Sequence, residues 1–200
     1  MNYVHESVSL IAHLFVILSF WQKKKVNLFI VQVIACGIFV IYFSLAGGLV
    51  SALSNVVMII RYLTLLFYYK KKEETPVYFM LLFMSMSAIL GFAFFGTFFD
   101  LIPIILTALF TYLCFYGNTM SMRLVGGVIG SLAWVAYYAV NQAWVGVAFN
   151  GAIAVCTAAS MTYFYFKERR EGRKLAVEKL IRKERKRKTV ANLIDSGKSG

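Results

Sequence analysis

Seven apolar segments follow one another along the chain, and each is long enough to cross a bilayer as a helix. A hydrocarbon core of roughly 30 Å needs about 20 apolar residues in a helix that rises about 1.5 Å per residue. The connections are short and rich in Gly, Asn, Lys or Pro, as tight links between helices require. The pattern predicts seven transmembrane helices: Val4–Trp21, Leu28–Leu45, Leu49–Tyr69, Val77–Phe95, Leu101–Tyr116, Met122–Val140 and Ala143–Phe166.

Basic residues between these segments are confined to alternate connections. They occur at Lys23–Lys25, Lys70–Lys72, Arg123 and from Lys167 onward. Because positively charged loops stay on the cytoplasmic side, we expect the N-terminus outside and the C-terminus in the cytoplasm. His5, Glu6 and Asp100 are then expected close to the outer face.

An internal repeat relates the two halves of the chain. A shift of 95 residues aligns the first three segments with the last three without a gap, so that Tyr42 meets Tyr137 and Asn55 meets Asn150. Polar matches of this kind arise less easily by chance than matches between Leu and Val. With one segment between them, the repeats have the same orientation, related by an axis along the membrane normal. The predicted fold is an all-α integral membrane protein of two parallel three-helix bundles: residues 1–72, a linker helix at 73–98, residues 99–167, and a basic cytoplasmic tail at 168–200.

Composition agrees with a membrane protein. Hydrophobic residues make up 60% of the chain, against roughly 45–50% in soluble domains, and the mean hydropathy is +0.71. The net charge of +12 comes mostly from the tail, beside a hydrophobic span. There it predicts contact with anionic lipid headgroups rather than with nucleic acid, although a solvated extension is the other interpretation. Cys36, Cys114 and Cys156 match no metal or disulfide spacing and are expected to be packing residues.

A polar and aromatic layer is predicted near the middle of the membrane. Asn55 and Asn150 each lie about 10 Å below the outer end of a helix, and one aromatic ring in each repeat lies at a similar depth. A stranded amide costs several kcal/mol in hydrocarbon, whereas it offers donors and an acceptor to a polar ligand. The alternative is that the asparagines only join helices. The candidate substrate-binding residues are Asn55, Asn150, Phe39, Trp134, Tyr42 and Tyr137.

Three further residues are candidates for gating or coupling. Arg61 lies inside the third segment, where a charge is costly and is either functional or extended toward the inner surface, which is the favoured interpretation. His13 is a possible proton-linked group or an ordinary packing residue. Pro103 removes a backbone hydrogen bond and can bend the fifth helix, but a proline in a first turn needs no functional explanation.

These residues resemble a known family, the bacterial YgjV-type inner membrane proteins. The resemblance rests on Asp100-Leu101-Ile102-Pro103, Met122-Arg123, Trp134, Asn150 and the stretch from Asn55 to Arg61, and it leaves the tail unmatched. That family is similar in its three-plus-one-plus-three plan to the SWEET sugar facilitators and the PnuC nicotinamide riboside transporters. In SWEETs an Asn in each third helix lines the substrate pocket, which implies this role for Asn55 and Asn150. The chain lacks the proline-glutamine pair of PQ-loop proteins and the Trp-rich sixth helix of PnuC, so a PnuC substrate is not implied.

The predicted function is therefore a facilitator that binds a small polar solute, such as a sugar, nucleoside or vitamin, between the two bundles. The alternative is a non-transporting membrane protein whose bundle anchors the basic tail for lipid or protein partners. An enzyme is not expected, because His5, Glu6, His13 and Asp100 form no recognisable nucleophile, metal or acid-base set. No cofactor or metal is expected, and the solute, coupling ion and oligomeric state are left open.

Overall fold

Helices occupy almost all of the chain that the computed structural model describes. The described backbone comprises residues 3–46, 48–93, 101–140, 142 and 144–196, and side chains are described for these residues apart from 3–6, 50, 103 and 172–196. Within these ranges the chain forms seven helices and no strand. They are α1 (Tyr3–Phe20), α2 (Lys25–Leu45), α3 (Leu49–Lys71), α4 (Val77–Ala93), α5 (Leu101–Tyr116), α6 (Thr119–Met122, the π-helical Arg123–Ile129, and Gly130–Val140) and α7 (Trp144–Ser196).

The predicted number and order of helices are confirmed. Helix α2 begins at Lys25 rather than Leu28, and α3 continues to Lys71 rather than Tyr69. The predicted connection at 96–100 lies outside the described residues. Helix α3 ends where Lys72 takes a left-handed conformation with φ 61°, which releases the chain from the helix.

The distribution of polar side chains is that of a membrane protein. Four of the described helical stretches are long and apolar enough to cross a membrane: Lys25–Leu45, Ser51–Lys71, Thr119–Val140 and Trp144–Glu171. Shorter apolar stretches lie in α1, α4 and α5. Large apolar side chains such as Leu14 and Leu63, each 50% exposed, face outward, while polar and charged side chains including Gln32, Arg61 and Thr111 are buried. Apolar surface needs no cover in a lipid environment, and polar groups there face the interior of the bundle.

One apolar cluster lies at the centre of the bundle. It contains Phe20 of α1, Leu28 and Phe29 of α2, Tyr62 and Leu65 of α3, Cys114 of α5, Met122 of α6 and Ile153 of α7. Among the described residues, α4 contributes none of its members. Helix α4 instead packs beside α3 and α5, where Gly91 leaves space for Ile104. The grouping of the other six helices into two three-helix repeats stays a prediction.

Three connections meet at one end of the bundle, which we call the basic end: residues 21–24, 72–76 and 117–118. Lys25 Nζ donates to the Gly117 carbonyl at 3.1 Å. Arg123 Nε and Nη2 donate to the carbonyls of Phe20 and Gln22, each at 2.7 Å. The last carbonyls of a helix lack partners within it and carry the negative end of its dipole, so a cation is favoured there. Each cation therefore caps the C-terminal end of another helix.

The described residues from Thr162 onward form a second compact unit. Its backbone is helical from Thr162 to Ser196 as part of α7. Lys167 Nζ lies 5.8 Å from the centre of the Tyr163 ring, so the charged run begins beside an aromatic side chain. Contact of the tail with lipid headgroups stays a prediction.

Candidate functional site

Arg61 lies in the interior of the bundle. Its side chain is 1% exposed, and Nη1 donates to the Thr111 hydroxyl oxygen of α5 at 2.5 Å. Its guanidinium carbon lies 5.0 Å from the ring centre of Tyr62 and 5.7 Å from that of Phe110. The interpretation that Arg61 extends toward the surface is therefore wrong, because an acceptor on α5 and two aromatic rings hold the guanidinium inside.

The positive charge of Arg61 has only neutral partners in the part of the chain that the structure describes. An arginine keeps its proton in proteins, and no described carboxylate forms an ion pair with it. The Nη2 group makes one long contact, 3.4 Å to the Tyr62 hydroxyl, and the buried Nε has no acceptor among the described residues. Since burying a charge costs several kcal/mol even after relaxation, a cation with no opposite charge beside it in the described structure makes Arg61 a candidate for a functional role.

Thr111 fixes one side of the guanidinium. Its hydroxyl donates to the Thr107 carbonyl one turn earlier in α5, at 2.6 Å, and its oxygen accepts from Arg61. The hydroxyl proton is thereby directed away from Arg61, so the oxygen lone pairs face the cation. The Nη1 group is held firmly, whereas the edge formed by Nε and Nη2 is not.

A cavity of about 450 Å³ opens at the basic end, between α2, α3 and α5. Phe29, Leu65 and Cys114 form part of its lining, together with Lys25. Leu65 lies four residues after Arg61 in α3, about 6 Å along the helix axis. One residue of the cavity wall thus lies about one helical turn from Arg61, while much of the rest belongs to the exposed connection after α3, and the volume falls in the range of small-molecule sites.

An aromatic cluster lies around His13. Its ring stacks on Phe149 of α7, with ring centres 4.5 Å apart, and meets the edge of Phe39 of α2 at 5.0 Å. His13 Nδ1 donates to the Ser9 carbonyl at 2.7 Å, which leaves Nε2 as an acceptor when the ring is neutral. The structure thus brings together His13 and Phe39, two predicted site residues, and adds Phe149, whose only signal in the sequence is its position before Asn150.

The two asparagines make equivalent contacts. Asn55 Nδ2 donates to the Ser51 carbonyl at 2.8 Å, and Asn150 Nδ2 donates to the Gly146 carbonyl at 2.9 Å. Both side chains are half-buried, and neither amide bonds the other helix among the described contacts. The interpretation that they join helices receives no support from these bonds. Each amide keeps one N–H group and its carbonyl oxygen for another partner.

The remaining predicted residues lie along α2, α5 and α6. Trp134 contacts Tyr137 and Tyr138 of its own helix, with ring centres 5.4 and 5.5 Å apart. Tyr42 meets the adjacent Phe43 ring at 5.0 Å. Pro103 is a first-turn residue of α5 by its backbone, but its side chain lies outside the described set, as do Asp100 and the side chains of His5 and Glu6.

Comparison with known proteins identifies a family. A family model described as Imp-YgjV, a bacterial inner membrane protein, matches residues 3–170 of the chain. No curated protein and no solved structure matches it. The resemblance to YgjV-type proteins is confirmed, and the placement beside SWEET and PnuC proteins stays a prediction.

Proposed function

The chain belongs to the Imp-YgjV family of bacterial inner membrane proteins, and on this premise we propose that it is a facilitator that carries a small polar solute across the inner membrane by alternating access. The single observation that carries the proposal is the cavity of about 450 Å³ that leads from the basic end toward the buried Arg61. A bundle that only anchored another segment would need neither this cavity nor a buried cation. The proposal assigns the chain no catalytic chemistry and needs no cofactor.

Contacts related by the 95-residue shift support a pathway between two repeats. Lys25 binds Gly117, and Arg123 binds Gln22, which is the residue that the shift aligns with Gly117. The carbonyl partners of Asn55 and Asn150, Ser51 and Gly146, are likewise aligned by it. The shift aligns the carbonyl acceptors of these contacts, although the donors Lys25 and Arg123 lie 98 residues apart. The aligned acceptors support our proposal of a SWEET-like and PnuC-like three-plus-one-plus-three architecture.

The pathway runs between two layers of side chains. The cavity is open at the basic end, which we assign to the cytoplasm from the positive-inside rule. Asn55 lies six residues before Arg61 in α3, so the asparagine layer is displaced by about 9 Å toward the opposite end. The ring of His13 stacks on Phe149, next to Asn150 in α7. A solute entering from the cytoplasm would meet Arg61 first and the asparagine and aromatic layer next.

Uptake into proteoliposomes tests the proposal, with sugars, nucleosides, vitamins and small organic acids as solutes. Leu65→Trp fills the cavity, whereas Leu63→Trp on the same helix adds the same ring at a position that is 50% exposed. We expect Leu65→Trp to lower uptake of the transported solute by about tenfold or more, a loss of about 1.4 kcal/mol, and Leu63→Trp to leave it within about twofold. Equal uptake by both variants, or no uptake of any solute by the wild type, would contradict the pathway.

A second candidate function is an anchor for the basic tail. It is favoured by the continuation of α7 as a helix to Ser196, well past the 28-residue apolar stretch that ends at Glu171. A chain truncated after Lys167, added to the same uptake experiment, separates the two functions. A facilitator keeps its uptake without the tail, whereas an anchor loses its lipid or protein partner.

A further inference from the structure

The buried arginines of α3 and α6 use the same donor edge in different ways. In Arg123, Nε and Nη2 each donate to a backbone carbonyl at 2.7 Å. Among the residues that the structure describes, Nε of Arg61 has no acceptor and Nη2 has only the Tyr62 hydroxyl at 3.4 Å. This edge of a guanidinium is a fork that matches both oxygens of a carboxylate or two oxygens of a phosphate. Arg61 therefore presents an unfilled site for an oxyanion.

The other sides of the Arg61 guanidinium contact uncharged groups, which would not repel an anion. Nη1 is held by the Thr111 oxygen, and the rings of Phe110 and Tyr62 lie 5.7 and 5.0 Å from the guanidinium carbon. Neutral hydroxyl and aromatic partners do not neutralise the charge. A bound anion would do so, and it would meet two charge-assisted donors on the open edge.

The cavity at the basic end is the proposed route to this edge. Phe29, Leu65 and Cys114 line it and are buried in the apolar cluster, so a solute would have to displace them to reach the guanidinium. Lys25 on the cavity wall adds a second positive charge. Glu73 and Glu74 also line the cavity, so its charged lining of one lysine and two glutamates does not itself favour an anion, and the attraction for an anion comes from Arg61.

We propose that Arg61 is the binding residue for the anionic group of the transported solute, and that the solute is a small organic anion whose apolar body lies against Phe29 and the other rings of the cavity. The assignment rests on the proposed function, because it makes Arg61 part of the solute pathway. It narrows the solutes from polar molecules in general to oxyanions that fit about 450 Å³.

A matched pair of probes tests the charge preference on the purified full-length protein. Benzoate and benzamide have the same ring and nearly the same size, but only benzoate carries a charge. We expect benzoate to bind about tenfold or more tightly than benzamide, measured by calorimetry and by the shift in Tm. Equal affinities, or no binding of benzoate at about 10 mM, would overturn the proposal.

Three variants locate the anion. Arg61→Lys keeps a charge but loses the planar fork, so the preference for benzoate should fall about tenfold. Lys25→Met removes the other cation and should leave most of the preference. Thr111→Val removes a neutral acceptor of Arg61 and should leave benzoate binding equal or stronger. A preference that is lost in Lys25→Met and kept in Arg61→Lys would place the anion at the cavity wall and overturn the assignment to Arg61.

Folding of the variants and solute transport are measured in separate experiments. If Arg61→Lys does not fold, the assignment is tested with Lys25→Met and Thr111→Val. A preference for benzoate that is kept in both variants supports Arg61 as the binding residue, and a loss of that preference in Lys25→Met overturns the assignment. Proteoliposome uptake distinguishes the two proposals. Binding of benzoate through Arg61 without uptake of any solute would contradict only the proposal that the protein is a facilitator. Uptake of a neutral solute that is unchanged in Arg61→Lys would contradict only the proposal that Arg61 binds an anion.

Discussion

Arg123 is buried like Arg61, yet its contacts are those of a structural residue. Its Nε group binds the last carbonyl of α1, that of Phe20, and its Nη2 group binds the carbonyl of Gln22 just beyond the helix, while Ser160 of α7 adds a hydroxyl to the Phe20 carbonyl at 3.2 Å. The positive charge is thus held against the negative end of a helix dipole. Arg123 therefore ties α6 to α1, and it has no need of a ligand to offset its burial.

Replacing Arg123 should destabilise the protein without abolishing binding. Arg123→Met leaves two carbonyls without their charged donor, and each such bond contributes about 1.5–3 kcal/mol. We expect a loss of about 3 kcal/mol, seen as a lower Tm in detergent, while benzoate affinity stays near that of the wild type. Ser160→Ala is the matched control, since Phe20 keeps its bond to Arg123, and should cost about 1 kcal/mol or less. Equal losses in both variants would contradict the structural role of Arg123.

At the residue scale, the sequence predicts which residues are notable better than it predicts which groups they contact. The repeat singled out Asn55 and Asn150, and the two amides do make equivalent bonds. The burial of Arg61 was not predictable, because a long side chain in a membrane helix reaches either the surface or a neighbouring helix. Thr111, which decides between these outcomes, lies 50 residues away on α5. Only tertiary contacts supply that information.

Helix α6 carries the main irregularity among the described elements. Residues Arg123–Ile129 form a π-helical segment, which is rare and often found at functional sites. Gly126 and Gly127 lie within it, where a Cβ would meet the ring of Phe110 and the side chain of Thr157, respectively. Close approach of α5 and α7 to α6 thus depends on glycine, and Phe110 is also a contact of Arg61.

Alanine at Gly127 should push α6 and α7 apart. A Cβ there meets Thr157, whose own hydroxyl is buried without a partner among the described residues. We expect Gly127→Ala to cost about 1–3 kcal/mol in stability, as overpacking does, and Gly127→Ala/Thr157→Ala to recover most of it. Gly151→Ala is the control in a helix, because nothing lies within 4 Å of its Cβ, and it should be neutral or stabilising. No recovery in the double variant, measured by Tm, would show that the glycine serves another purpose.

The helices themselves were largely predictable from their apolar length. The predicted segments of α1, α3 and α5 agree with the observed bounds to within about two residues, the uncertainty of any helix end. The π-helical segment was not predictable, because its residues are as apolar as those of an ordinary helix. The bond from the Lys25 side chain to the Gly117 carbonyl was not predictable either, because its acceptor lies 92 residues away in the connection after α5.

At the scale of the whole molecule, polarity is arranged around a central axis. Lipid-facing positions are apolar, Arg61 and Thr111 are enclosed, and cations bind helix ends at the basic end. In the proposed facilitator, a solute that crosses the bundle would replace these internal contacts in turn, so the order of the buried polar groups along the helices would set the order of the steps.

Orientation across the membrane is the last property that the charge pattern predicts. Residues Glu73 and Gln142 flank a stretch that contains α4, α5 and α6, so an odd number of spans should place them on opposite sides. With the basic end in the cytoplasm, we expect Gln142→Cys to react with a membrane-impermeant maleimide in cells whose outer membrane has been opened. Glu73→Cys should react only after the inner membrane is also opened.

The native cysteines set the background of this labelling experiment. Cys36 and Cys114 are buried, so their background labelling should be low, and a Cys156→Ser background removes the half-buried thiol. Labelling of both positions from the same side would exclude three spans between them, whereas a reversed pattern would keep the spans and place the cavity mouth outside the cell.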